Sequence, residues 1–298
     1  MITIVTTPKP FVGHIDTIQR NAIESWTCLE PRPEVIIFGD EPGAEEAARD
    51  LGVTFGGEVI RNEYGTPLVS DIFTRAQQMA THDLLCYVNA DIILLNDFMD
   101  AVARVRHIPE FLMVGRRWDM DVLKRLDFNQ PGWDSDLRER IEAEAELQCI
   151  YRVDYFLFTK GLYREVPPLA LGRMYWDAWL IFHARQSGSP VIDATQAVRV
   201  LHQNHDYAHV KAASVFEVLR MPESASNMKL AGGIGQSFSA SSANRIMTPE
   251  GITRQPLSHF FSLKGIKPFL ILNPIAGFFF RPLWRVYDLI YPWRIAHR

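Results

Sequence analysis

"CYVNADIILLNDF", residues 86–98, starts as a buried strand and then interrupts itself. Leu84 to Val88 are apolar, Ile92 to Leu95 are apolar, and between them stand Asn89, Ala90 and Asp91. An unbroken apolar run of this length is the pattern of a strand buried on both faces of a parallel sheet. An amide and a carboxylate at its end have to be satisfied or put to use.

The segments around this stretch alternate between two periods. Ile2–Thr6, Glu34–Phe38, Val53–Phe55, Phe111–Val114, Val153–Phe158, Val191–Ala194 and Val198–Leu201 are short and β-branched or aromatic, and read as strands. His14–Trp26, Ala44–Leu51, Leu68–Ala80, Asp134–Leu147 and Tyr175–Gln186 read as helices. Alternation of this kind predicts an α/β fold with a mixed, mostly parallel sheet flanked by helices. Ligands in such sheets sit beyond the carboxyl ends of the strands. Three strands here end in polar or turn residues: Thr6-Thr7-Pro8, Gly39-Asp40-Glu41 and Asn89-Ala90-Asp91.

Composition bounds the function. The 298 residues are 47% apolar and 22% charged with a net charge of −4, so the basic field of a nucleic-acid binder is missing. Three widely spaced cysteines (Cys28, Cys86, Cys149) form no CxxC pair, which suits a reducing compartment. Met1 runs directly into a strand-like segment without the basic and apolar regions of an export signal, and a cytoplasmic location is expected. No GxxxxGK[ST], GxGxxG or GxSxG motif is present.

In a strand, residues i and i+2 share a face, so Asn89 and Asp91 can present two oxygens together. Hard divalent cations take such oxygens, with substrate phosphates completing the shell. Taken alone, the triplet reads as a carboxylate capping a turn before Asn96-Asp97 rather than as a metal ligand.

Placed in its context, "YVNADIIL" resembles the acidic D-x-D-type triplet that follows the fourth strand in nucleotide-sugar glycosyltransferases of GT-A fold, particularly the family-two-like group. The resemblance spans about residues 1–210, with Asn89 where the first Asp usually stands. It implies a Mn²⁺ or Mg²⁺ ion held by Asp91, with Asn89 a weaker ligand or a ribose contact. It places Thr6, Thr7, Asp40 and Glu41 against the nucleotide, flanked by Thr66 and Asp71. "GRMYWDAWLIFHA" (172–184) resembles the segment in which a carboxylate opens a helix beneath the acceptor, making Asp177 the general base of an inverting transfer. "VLHQNHDYAH" (200–209) resembles the late segment that completes the metal's ligands, with His202 first and His205 second.

Two further tracts stand beside these. In "GRRWD" (115–119), Arg116 or Arg117 can pair with a diphosphate, and Trp118 can stack on a sugar or base. Asp154 is the next candidate base. The expected organisation is a catalytic domain over 1–215, a flexible loop or linker over 216–260, and an appendage over 261–298. In that appendage an uncharged run from Pro268 to Phe280 is too short to span a bilayer. Aromatic residues interleaved with arginines beyond it suit an interfacial helix at the inner face of a membrane, and equally a tail packed on its own domain or on a second subunit of a homodimer. The expected partners are a nucleotide-diphosphate sugar donor and a glycan or lipid-linked acceptor. A nucleotidyltransferase of similar fold and a catalytically inactive sugar-nucleotide scaffold are the competing readings.

Overall fold

The computed structural model describes residues 1–205, 215–280 and 282–283. Its centre is β4 (Leu84–Val88), buried along its whole length. Leu85 and Tyr87 point into one core, and Cys86 and Val88 into the other, because successive strand residues face opposite sides of the sheet. A strand covered on both faces has no use for alternation, which is why its sequence is apolar throughout.

On one side β4 pairs in parallel with β1 (Thr3–Thr6), which pairs with β2 (Glu34–Phe38), which pairs with β3 (Thr54–Gly57). On the other side lies β9 (Tyr155–Thr159), antiparallel to β4 and to β6 (Leu112–Val114). Parallel pairing then continues through β10 (Val191–Asp193) to β12 (Arg245–Thr248), and β13 (Gly251–Arg254) closes the nine-stranded sheet as a hairpin.

Helices cover both faces. On one side α3 (Val69–Met79) buries Val69, Ile72, Phe73 and Ala76 at helical spacing. Phe73 stacks on Tyr87 and Phe158 at centroid distances of 5.7 and 5.4 Å. Each such buried aromatic contributes roughly 1.5–3 kcal/mol by removal from water. The same face receives α6 (Trp176–Gln186), whose Trp176 meets the Tyr87 ring edge-on at 5.5 Å. On the other face α1 (Gly13–Thr27) and α4 (Asn96–Val105) bury Ile23, Trp26, Phe98 and Val102.

A second sheet arises from short strands. It runs β5 (Ile92–Leu94), β11 (Val200–Gln203), β7 (Trp118–Met120), β8 (Glu146–Leu147), and packs on α5 (Trp133–Glu144) through Ile93, Met120, Ile141 and Leu201. Of Val198–Leu201, expected as a strand, Val200 and Leu201 pair, in this small sheet rather than the main one, and the strand runs on to Gln203. The apolar run after Asp91 is thus a separate strand, and Asn89-Ala90-Asp91 is the turn between two sheets, closed by Ile92 N–H donating to the Asn89 carbonyl at 3.1 Å.

Segment 216–260, expected as a loop or linker, contains α8 (Pro222–Leu230) and the β12–β13 hairpin. Its small and polar residues hide the pattern, yet Met247 is fully buried against the sheet. In the tail, α10 (Leu263–Leu272) starts at Ser262, whose hydroxyl accepts from Gly265 N–H at 3.0 Å. Lys267 ties it down by donating to the Ser237 carbonyl at 2.7 Å. No helix among the described residues is long and apolar enough to cross a membrane. Trp284, Tyr287, Tyr291, Trp293 and the arginines of 281–298 lie outside the described residues, as does His209.

Candidate active site

A cleft of about 560 Å³ opens at the carboxyl ends of β1, β2 and β4. Because β9 runs antiparallel, its start also lies at this edge, which brings in Asp154. The N-terminus of α6 completes the wall with Trp176 and Asp177.

The small sheet builds the most charged corner. β11 pairs with β5 so that His202 stands opposite Ile92, and with β7 so that it stands opposite Asp119. This carries His202 Nε2 to 3.8 Å from Asp91 Oδ2, with Nδ1 3.2 Å from Asp119 Oδ1. A carboxylate on the far nitrogen fixes which nitrogen a ligated imidazole presents. His205 Nε2 lies 2.9 Å from the same Asp91 oxygen. Underneath, buried Gln203 donates to the carbonyl of Ile18 at 2.9 Å and accepts from Asn21 at 3.0 Å, tying β11 to α1.

One donor atom from each of Asp91, His202 and His205 lies within 4.8 Å of the others. Burial disfavours the charged form of Asp91, but His202, His205 and Lys9 outweigh it and hold the carboxyl far below the usual range. Its second oxygen, Oδ1, is enclosed and accepts no hydrogen bond among the described residues. An ionised carboxylate with a spare enclosed oxygen, beside two imidazoles, fits a divalent cation.

Arg117 organises the next layer. Its Nε lies 2.8 Å from Asp119 Oδ1, and Nη1 donates to Asp154 Oδ2 at 3.0 Å. Burial alone would lower its pKa; the carboxylates of Asp154, Asp119 and Asp91 raise it instead. Asn89 is drawn into the same group, donating its amide to Asp154 Oδ1 at 2.6 Å.

Asp177 sits in the first turn of α6, directly after Tyr175, which adopts the left-handed backbone conformation at φ 81°. A β-carbon at that φ is strained, and such strain persists where surrounding packing imposes it. Enclosure in the cleft wall raises the Asp177 carboxyl to about 6, with the backbone N–H of Ala178 opposing the shift and the Asp154 charge adding to it.

The remaining predicted residues divide. Thr7, Glu41 and Thr66 line the cleft, whereas Thr6 is fully buried in β1. Arg61 donates to Asp40 at 2.7 Å, to Glu41 at 2.9 Å and to the Gly65 carbonyl at 3.0 Å, folding the 61–67 loop over the end of β2. Asp40 is thus occupied at the rim. Asp71 anchors this loop by accepting from Ile60 N–H at 2.9 Å. Arg116 and Trp118 point away from the cleft into a separate pocket.

Asp119, Lys9, Arg61, Arg152 and Arg173 were not anticipated at the site. Asp119 is two residues from Arg117, which immediately precedes β7, so the periodicity that paired Asn89 with Asp91 could have found it. Arg61 and Arg173 come from loops and left no such signal.

No protein-family model matches the chain, and no curated protein matches it. Among solved structures, it is similar to a Staphylococcus aureus TarS fragment in complex with UDP-GlcNAc (TM-score 0.48, 13% identity, 76% of this chain and 66% of that one). It is also similar to glucosyl-3-phosphoglycerate synthase from Mycobacterium tuberculosis with Mn²⁺, UDP and glucosyl-3-phosphoglycerate (TM-score 0.44, 12% identity, 78% and 80%). A mycobacterial protein scores 0.45 at 15% identity over 78% and 75%. The chain thus spans just under two thirds of the TarS fragment, and at these scores and identities the likenesses define no family.

Proposed function

We propose that this chain is a metal-dependent glycosyltransferase that moves a sugar from a nucleotide-diphosphate sugar to an acceptor hydroxyl, with inversion. The observation that carries this reading is the joining, in one cleft, of the Asp91–His202–His205 group with a carboxylate of raised pKa at the start of α6.

Asp91, His202 and His205 would hold the cation, and two imidazoles beside one carboxylate favour Mn²⁺ over Mg²⁺, which prefers oxygen donors alone. When bound, such an ion neutralises the charge that develops on a departing diphosphate. Lys9 adds a positive charge beside it. Thr7, Glu41 and Thr66 line the part of the cleft assigned to the nucleoside. Asp177 takes the proton of the acceptor hydroxyl as the new carbon–oxygen bond forms on the face opposite the leaving group. Its pKa of about 6 leaves it ionised, and sufficiently basic, near neutral pH. Asp154, held from both sides by Asn89 and Arg117, orients groups of the transferred sugar or the acceptor.

The acceptor is a glycan or a lipid-linked molecule. Phe261, Ile275, Phe278 and Phe279 are 66–79% exposed. Between Glu250 and Asp288 the sequence has Arg254, Lys264, Lys267, Arg281 and Arg285 and no acidic residue. That combination favours a peripheral contact with anionic lipid.

A panel of nucleotide-diphosphate sugars, assayed for nucleotide release with Mn²⁺, Mg²⁺ or EDTA, tests the reading. Release should require the metal, with Mn²⁺ the better ion, and should fall to background in Asp177→Asn. Equal release in EDTA would remove the metal role, and no turnover or binding of any donor would remove the enzyme.

A further inference from the structure

The Arg116–Trp118 segment has two sides. Arg117 lines the cleft, while Arg116 and Trp118, one residue either way, line a second pocket of about 360 Å³. Leu147, Asp193, Thr195 and Arg199 complete its wall. The alternation of an extended chain separates the two sites.

Two guanidiniums converge here with spare capacity. Arg116 uses Nε on the Gln148 carbonyl at 2.6 Å, and its backbone N–H donates to the Thr195 hydroxyl at 2.9 Å. The Arg199 guanidinium lies over the Trp118 ring, 5.4 Å from its centroid. Trp118 Nε1 and Arg199 Nε are enclosed and donate to nothing among the described residues. Asp193, the one carboxylate among the described lining residues, already accepts from both the N–H and the hydroxyl of Thr195, at 3.0 and 2.5 Å. Burial also raises its pKa, which weakens its claim on the arginines. The pocket therefore combines an aromatic face, unsatisfied donors and excess positive charge.

An apolar ligand would offer the two guanidiniums no acceptor, and a neutral sugar would leave them with only the Asp193 carboxylate of the pocket wall as counter-charge. Guanidinium forks match carboxylate and phosphate oxygens, and an indole face packs on a sugar ring. We infer that this pocket binds an anionic saccharide unit, a sugar ring carrying a phosphate or carboxylate, with the ring near Trp118 and the anion between Arg116 and Arg199. The inference deepens the proposed function, and rests on it in assigning the unit to the acceptor, because the segment that forms the pocket also carries Arg117 into the cleft.

Calorimetric titration of the full chain with glucose 6-phosphate, glucuronic acid, glucose and inorganic phosphate, with and without saturating UDP and Mn²⁺, tests it. The two anionic sugars should bind whether or not UDP is present, and glucose and phosphate should bind about tenfold or more weakly. Arg199→Gln should weaken the anionic sugars about tenfold or more while UDP affinity stays unchanged. Gln196→Glu, at an exposed rim position, should weaken them in the same direction without disturbing the core. An acidic oligosaccharide that binds more tightly than the monosaccharides assigns the unit to an acceptor chain. Equal affinity assigns a free sugar phosphate or sugar acid, and either result sustains the pocket. Displacement of the sugars by UDP, wild-type affinity in both variants, or no saturable binding overturns it. Failure of UDP to bind would count against the donor reading alone, since the sugar titrations need no nucleotide.

Discussion

The Asn89 amide donates to Asp154 Oδ1 across 2.6 Å, while Arg117 donates to the other oxygen of the same carboxylate. Asn89, expected as a weaker ligand of an ion or a ribose contact, thus holds a second acid in place. Aspartate in its place would set two carboxylates against each other, and one would have to take up a proton or swing away. Asn89→Asp, which restores the commoner acidic triplet, should thus lower turnover by about 10–10²-fold through misplacement of Asp154. Nucleotide affinity in Mn²⁺ should stay close to wild type. Steady-state kinetics beside a UDP titration decide it; a faster variant would show Asn89 to be a compromised metal ligand.

Asp177 carries a pH signature. A base must be deprotonated to act, so kcat/KM should rise with pH through a pKa of about 6 and then level. Asp177→Asn should lose that limb and about 10²–10⁴-fold in turnover. The folded-state value lies above the ordinary 3.8, so the folded chain keeps a proton that the unfolded chain releases. This group therefore favours folding at low pH, and its contribution is lost as pH rises through about 6. Near pH 7.5 the variant should melt no lower than wild type. A variant with an unshifted pH limb would place the base elsewhere, with Asp154 next.

Removal of the Asp91 carboxylate should uncouple nucleotide binding from metal. In Asp91→Ala, UDP affinity should be the same in Mn²⁺ as in EDTA, because two imidazoles alone hold a weaker site. Titration with and without chelator reads this directly. A persistent Mn²⁺ enhancement would move the ion away from this corner.

Gly115 marks a close approach. A β-carbon there would lie 2.5 Å from the hydroxyl oxygen of fully buried Tyr155. Gly115→Ala should cost about 1–3 kcal/mol in chemical denaturation, the range for forced overpacking. It should also displace the adjacent Arg116-Arg117 segment, weakening UDP binding. Unchanged stability would mean that the Tyr155 ring yields without cost.

The tail should confer lipid affinity without chemistry. Full-length protein should float with anionic vesicles at low salt and less at high salt, since each basic residue near the surface contributes on the order of 1 kcal/mol. A chain ending after Gly277 keeps α10 but loses Phe278, Phe279 and Phe280; it should float less and bind UDP normally. Flotation that is indifferent to lipid charge and to truncation would leave the exposed aromatics to another surface.

Much of the architecture was readable from local pattern. The apolar run at Leu84–Val88 could satisfy only a strand covered on both faces, and the strand–helix alternation around it implied a parallel sheet. Asp177 was indicated by the resemblance of residues 172–184 to a segment in which a carboxylate opens a helix, rather than by local pattern alone. What the pattern missed was short or weakly patterned. Strands of two or three residues such as β5, β7 and β8 hold too few positions to show a period, and the small, polar residues before β12 concealed a hairpin.

Residue type and spacing by themselves determined the central strand, its flanking helices and the supply of carboxylates and histidines at strand ends. Only the tertiary structure decided which of these meet. His202 reaches Asp91 because β11 pairs with β5, a contact across more than a hundred residues of chain. Asn89 turns to Asp154, and Arg117 parts from Arg116 and Trp118, because β9 and β7 arrive beside β4 and β11 in a particular register. Periodicity reports which residues of one element share a face. Which distant element that face meets is settled by packing the whole core at once, where a one-residue shift in register would exchange every side chain between cleft and interior.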